Sequence, residues 1–217
     1  MTEAEWLACD NPERVLERVK GAYSERKFRL VAVAYCRGIW ALIGDERSQR
    51  AVEAAEMYAD GNATTTELAA AAEAAQTVSI EAHDNRLGDH RGRSALAAQW
   101  AATVGEYHTA FRTAGHAVFY ATVAKAIARG QYPTEGLLRD IFGNPFRPVA
   151  FSPDWRSDTA VSLAQGMYAT RDFSAMPILA DALQDAGCDN DDVLNHCRGE
   201  GPHVRGCWVV DLVLGKS

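Results

Sequence analysis

Between Cys188 and Cys207 the chain gathers most of its metal-ligating residue types: Cys188, His196, Cys197, His203 and Cys207, with Asp189, Asp191 and Asp192 among them. Thiolates and imidazoles are the soft and borderline donors that zinc takes tetrahedrally, and Cys188, Cys197, His203 and Cys207 supply a set of four. If the chain is helical from Val204 onward, His203 and Cys207 lie four apart on one face, with Asp211 a further turn along. The spacing lacks the C-x-x-C knuckle of zinc ribbons, so the same residues also read as buried thiols and hydrogen-bonded histidines packing helix ends. A second chemistry draws on the same atoms. A cysteine thiolate beside an imidazole base, oriented by Asn195 or Asp211, makes a nucleophile, but that arrangement is defined in space and the spacing does not fix it.

Arg147, Arg198 and Arg205 stand near glycine and proline, where a planar guanidinium can clamp a carboxylate or phosphate. The favoured reading is structural, each arginine capping helix C-terminal carbonyls or pairing with Asp189, Asp191 or Asp192. His108 and His116 fall eight apart on a long helix beside Glu106 and Tyr107, without the Glu-x-x-His pattern of di-iron carboxylate bundles. His83 and His90 flank a loop. There is no phosphate-binding loop, glycine-rich dinucleotide turn, nucleophile elbow or zinc-protease helix. No catalytic residue or cofactor is therefore assigned. The leading expectation is a non-catalytic helical module whose partner is another protein, and the alternative is a zinc-binding protein or enzyme using the C-terminal Cys/His group.

The whole chain sets the limits within which such a site must work. Its 217 residues, 47% hydrophobic and 24% charged, suit an ordinary globular protein, expected as a single helical domain over 1–217. A net charge of -7 argues against nucleic acid, whose phosphates are met by clustered Lys and Arg. The basic stretch Arg86 to Arg93 is broken by Asp89 and rich in glycine, as a solvated loop would be. Five cysteines, an odd number, and a start without a basic then apolar leader lead us to expect reduced thiols in a cytoplasmic protein. No apolar run approaches the ~18 residues of a membrane span, so no membrane partner is expected.

The elements read as helices almost throughout. Over 1–62, Thr2 with Glu5 makes a capping box, Asn11-Pro12-Glu13 opens a second helix that stops at Gly21, and Ser24 opens a long third. In that third helix Phe28, Val31, Tyr35, Ile39 and Leu42 form the buried stripe. Asp45 caps a fourth helix, ended by Asp60-Gly61-Asn62. Over 63–131, Thr64 with Glu67 opens an alanine-rich region that reads as two long helices separated by a loop from Asp84 to Gly92, the second kinked at Gly105 or Gly115. Over 132–217, a short helix from Thr134 to Phe142 leads into the Gly143 to Trp155 connector. Its prolines exclude helix, and its aromatics are expected to lie over a helix surface. Asp158 opens another helix, and Ser174 caps one that ends at Gly187. The Val-rich Gly206 to Leu214 run has strand propensity but no second strand to pair with, so it reads as a buried helix and the fold as an all-α multi-helix bundle. No diagnostic repeat is present, although helices in sequential pairs admit a loose solenoid.

Four phrases are long enough to be specific: Met1-Thr-Glu-Ala-Glu-Trp-Leu-Ala, the Ser24 to Cys36 helix, Leu138-Arg-Asp-Ile-Phe-Gly-Asn-Pro-Phe-Arg-Pro-Val149 and Pro202-His-Val-Arg-Gly-Cys-Trp-Val-Val-Asp211. Through them the chain resembles an uncharacterised bacterial family that occurs as many paralogues. The resemblance covers about a third of the chain and implies bacterial origin, with no activity, cofactor or site residue to carry over. It also implies that the loop around Phe146 and the C-terminal segment form one structural unit.

Overall fold

The computed structural model describes residues 1–84, 90–104, 110–129 and 136–216, with backbone only at 83 and 84. These residues are all-α: twelve α-helices and two single-turn 3-10 helices, without a strand. The chain divides into two compact units, a middle unit of residues 8–135 and a terminal unit that joins residues 1–7 to 136–217.

The middle unit opens with α2 (Pro12–Val19), which follows α1 (Glu3–Ala8), and continues through α3 (Glu25–Gly38) and α4 (Glu46–Ala59). Side-chain caps begin each of α2, α3 and α4, with Asn11, Ser24 and Asp45 accepting from the N–H groups of Arg14, Lys27 and Arg47. Of the predicted stripe, Phe28, Val31 and Tyr35 are buried on α3, which is buried from Lys27 through Cys36; the helix ends at Gly38, short of the expected length, and Ile39 and Leu42 are buried beyond it, Leu42 in a 3-10 turn. Two charges on α3 are therefore paired internally. Arg29 donates to the carbonyls of Ala101 (2.7 Å) and Thr103 (3.3 Å), and Arg37 meets the buried Glu56 carboxylate at 2.9 Å. The alanine-rich region holds three helices where the sequence suggested two: α5 (Thr65–Asp84), α6 (His90–Ala102) and α7 (Ala110–Ala128). The Thr64–Glu67 capping box forms at the start of α5. Helix α6 already begins at His90, inside the expected loop, while Gly105 and His108 lie outside the described residues. Helix α7 runs through Gly115. Composition cannot locate such breaks, because alanine favours helix equally on both sides of them. His116 stacks on Trp100 with ring centroids 4.3 Å apart, a packing role.

In the terminal unit the Thr2–Glu5 capping box makes both reciprocal bonds, and Trp6 is fully buried. Helix α8 (Leu137–Phe142) leads into the connector, whose Val149, Phe151 and Trp155 pack on the core formed by α9 (Asp158–Thr170), α10 (Met176–Asp185), α11 (Asp191–Arg198) and α12 (Trp208–Leu214). Helix α10 starts at Met176, two residues after the predicted Ser174 cap. Pro177 suits only the first helical turn, and Ser174 instead donates its N–H to Asp172 in the preceding turn. The Val-rich run is helical, with Val209, Val210 and Val213 buried. It ends at Gly215 with the Lys216 N–H on the Asp211 carbonyl, and Arg156 donates two bonds to the Leu212 carbonyl. Among the described residues no helix is long and apolar enough to cross a membrane.

Candidate metal centre

Helix α8 is a single apolar turn and a half, in which Leu137, Leu138, Ile141 and Phe142 are buried and carry Asp140 inside with them at 3% exposure. Such a carboxylate needs partners, because a buried charge without them is strongly disfavoured. Two close approaches bring those partners. Gly136 has φ +79°, and a Cβ there would stand 2.9 Å from Pro202 Cδ, which presses the loop before His203 onto the start of α8. Gly143 has φ +66°, and a Cβ there would stand 3.1 Å from the Trp208 indole, which seats the start of α12 against the end of α8.

Helix α11, capped by Asn190, buries Val193, Leu194 and Cys197, and its neighbouring His196 turns toward Asp140. The result is a four-residue cluster: the ligand atoms of Asp140, His196, His203 and Cys207 all lie within 4.8 Å of one another. His203 Nδ1 is 2.9 Å from Asp140 Oδ1, and His196 Nε2 is 3.2 Å from the same oxygen. His196 Nε2 is also 3.2 Å from Cys207 Sγ. Around these atoms stands a second layer. The Val204 N–H donates to Asp140 Oδ2 at 2.9 Å, His203 Nε2 faces the Gly199 carbonyl at 3.3 Å, and the His196 ring lies 5.2 Å from the Trp208 ring.

The electrostatics follow from this packing. Burial works against the Asp140 carboxylate, but the hydrogen bonds from His196 and His203 outweigh it and hold its pKa below the ordinary value. Burial likewise disfavours a charged His203, yet Asp140 and the Gly199 carbonyl raise its pKa. Burial, reinforced by the Asp140 charge, pushes the Cys207 thiol well above its ordinary range.

Of the four ligands expected from sequence, His203 and Cys207 belong to the cluster, while Cys188 and Cys197 stand outside it. Both outside thiols are buried, and desolvation raises their pKa values, that of Cys197 to about 12. His203 and Cys207 do not meet along a helix face, since α12 begins only at Trp208. A turn brings them together instead, closed by the Cys207 N–H on the Val204 carbonyl. Asp140 and His196 complete the group. The signal for Asp140 is a lone carboxylate in a short helix whose other residues, Arg139 apart, are apolar. His196 rather than Cys197 reaches the cluster because adjacent helical residues point about 100° apart.

A cysteine nucleophile does not fit this geometry. Cys207 is fully buried, and the carboxylate sits on the same His196 nitrogen as the thiol rather than on the far one, where an orienting group belongs. The arginines are structural. Arg205 donates to the Tyr168 and Ala169 carbonyls at the end of α9, Arg198 to Asp181 and Gln184, and Arg147 pairs with Glu3 and Asp192. All five cysteines are thiols. Comparison with protein-family models, with curated proteins and with solved structures gives no match to this chain.

Proposed function

We propose that the terminal unit is a metal-binding module that holds one divalent ion of the zinc class through Asp140 Oδ1, His196 Nε2, His203 Nδ1 and Cys207 Sγ. The observation that carries this reading is the convergence of the four donor atoms within 4.8 Å. Zinc bonds of 2.0–2.3 Å place tetrahedral ligands roughly 3.3–3.8 Å apart, so small side-chain shifts would complete the geometry. The second layer supports it too. A ligating histidine usually donates its other ring N–H to a carbonyl, as His203 Nε2 is placed to do toward Gly199. One carboxylate and one thiolate balance a divalent charge, which suits a buried centre. Four protein ligands leave no position for a reactive water, so the role is structural and not catalytic.

Elemental analysis of protein purified without chelators tests the proposal. One zinc per chain is expected, lost in a His203→Ala, Cys207→Ser variant and retained in Cys188→Ser and Cys197→Ser. Protein from zinc-supplemented culture that carries no metal refutes it.

A second reading, binding of a protein partner, is favoured by α7. Phe119 and Ile127 on it are exposed and Val123 between them is half-buried, a spacing of four that aligns them as an outward apolar stripe. Crosslinked capture from cells that is unchanged by a Phe119→Glu, Ile127→Glu pair would remove this reading.

A further inference from the structure

The four ligand residues divide into two pairs along the chain. Asp140 and His196 sit on the buried faces of α8 and α11, whereas His203 and Cys207 belong to the loop that joins α11 to α12. Between Gly199 and Cys207 that loop forms one internal backbone bond, Cys207 N–H to the Val204 carbonyl. Its further anchorage includes the Val204 N–H and His203 on Asp140, Cys207 on His196, Arg205 on the end of α9 and Pro202 against Gly136. Beyond it, α12 has only seven residues, too few for an isolated helix to persist in water, so it depends on docking its valines and on what holds its first turn. Cys207 is the residue before that turn, and its carbonyl accepts the Asp211 N–H.

We propose that occupancy of this centre latches the C-terminal segment, residues 199–216, onto the terminal unit: the bound ion ties the loop and α12 to α8 and α11, and its removal frees them. The inference rests on the metal-binding reading above. An ion held by two fixed and two loop ligands crosslinks the chain, and binding free energy in such sites is spent on ordering the ligating segment. Without the ion, the cluster retains the His203–Asp140 hydrogen bond and a buried thiol, and the ordering of nine loop residues and a seven-residue helix falls on that bond, on Arg205 and Arg156, and on the packing of Trp208 and three valines. When released, the segment would expose Trp208, Val209, Val210 and Val213 to solvent. The stripped protein would thus expose a surface that the loaded one hides, which makes the unit metal-responsive.

Hydrogen exchange followed by mass spectrometry on the full chain tests the latch, comparing protein loaded with zinc, the same protein after chelation, and Asp140→Asn. Zinc stoichiometry is read on the same samples. The expected result is one zinc per loaded chain, with amide exchange across 204–214 rising after chelation at least about tenfold more than that of α10, while the helices of the middle unit keep their protection. One zinc per chain with unchanged protection at 204–214 overturns the latch and leaves the metal site standing. An equal rise in exchange across α9, α10 and α12 overturns it as well, since the ion then supports the whole unit and not the C-terminal segment in particular. Absence of bound zinc in every sample overturns the metal site and the latch with it.

Discussion

Asp140 accepts from three groups at once, His203 and His196 at Oδ1 and the Val204 N–H at Oδ2, all at 2.9–3.2 Å. Replacing it with Asn removes the charge that His203 pairs with, and breaking one side of a buried ion pair costs about 3–5 kcal/mol. Urea unfolding of metal-free Asp140→Asn should show a loss of that order against metal-free wild type. The pH dependence separates the two states of the site. His203 has a raised folded pKa, so in the metal-free protein its contribution is complete below its unfolded value near 6.5 and is lost as pH rises through the folded value. Asp140, with a lowered pKa, contributes fully above 3.8 and plays no part in that window. Metal binding has the opposite slope, because zinc must displace the His203 and Cys207 protons, and both groups hold protons more firmly than usual. Thermal midpoints of zinc-loaded and chelated protein should therefore diverge as pH rises from 6 toward 8. Parallel curves would refute the ligand assignment.

At the scale of elements, the contacts that place α8 against the loop and α12 run through glycines. Gly143→Ala puts a Cβ 3.1 Å from Trp208 at a positive φ and should lower stability by about 1–3 kcal/mol. Gly166, inside α9, has open space around it, and Gly166→Ala should raise stability by about 0.5–1 kcal/mol. Denaturant midpoints that move the same way in both variants would contradict this account. The same elements show how much the sequence discloses. Caps at Thr2, Asn11, Asp45 and Thr64 are local chemistry and were readable, as was the helical state of the Val-rich run once no strand existed to pair with it. Gly105 suggested only a kink where α6 and α7 are separate helices, and Ser174 misled because Pro177, the second residue of α10, belongs in the first turn. The site was half legible. Its Cys/His segment drew notice by composition, but which of Cys197 and His196 faces inward depends on helix phase, and Asp140, 63 residues before His203, joins them only through packing.

Across the whole molecule charge is divided as unevenly as chemistry. The terminal unit carries 13 carboxylates against 7 basic side chains and the middle unit 16 against 15, so -6 of the net -7 lies in the unit that holds the candidate centre. Self-repulsion of that size disfavours a compact state, and the ion does not relieve it, since its two charges replace the His203 and Cys207 protons. Compact units with their own cores are expected to melt separately, so calorimetry should resolve two transitions, of which zinc moves one. At a free zinc concentration a thousand times Kd the gain is about 4 kcal/mol. In a unit of this size each kcal/mol shifts the midpoint by roughly 4–8 °C. The zinc-dependent transition should thus rise on the order of 20 °C, fall back on chelation, and lose its response in His203→Ala. The other transition, that of the alanine-packed middle helices, should stay in place in all three. If both rise together by the same amount, the ion's free energy is shared by the chain as one cooperative body, and its assignment to the terminal unit fails.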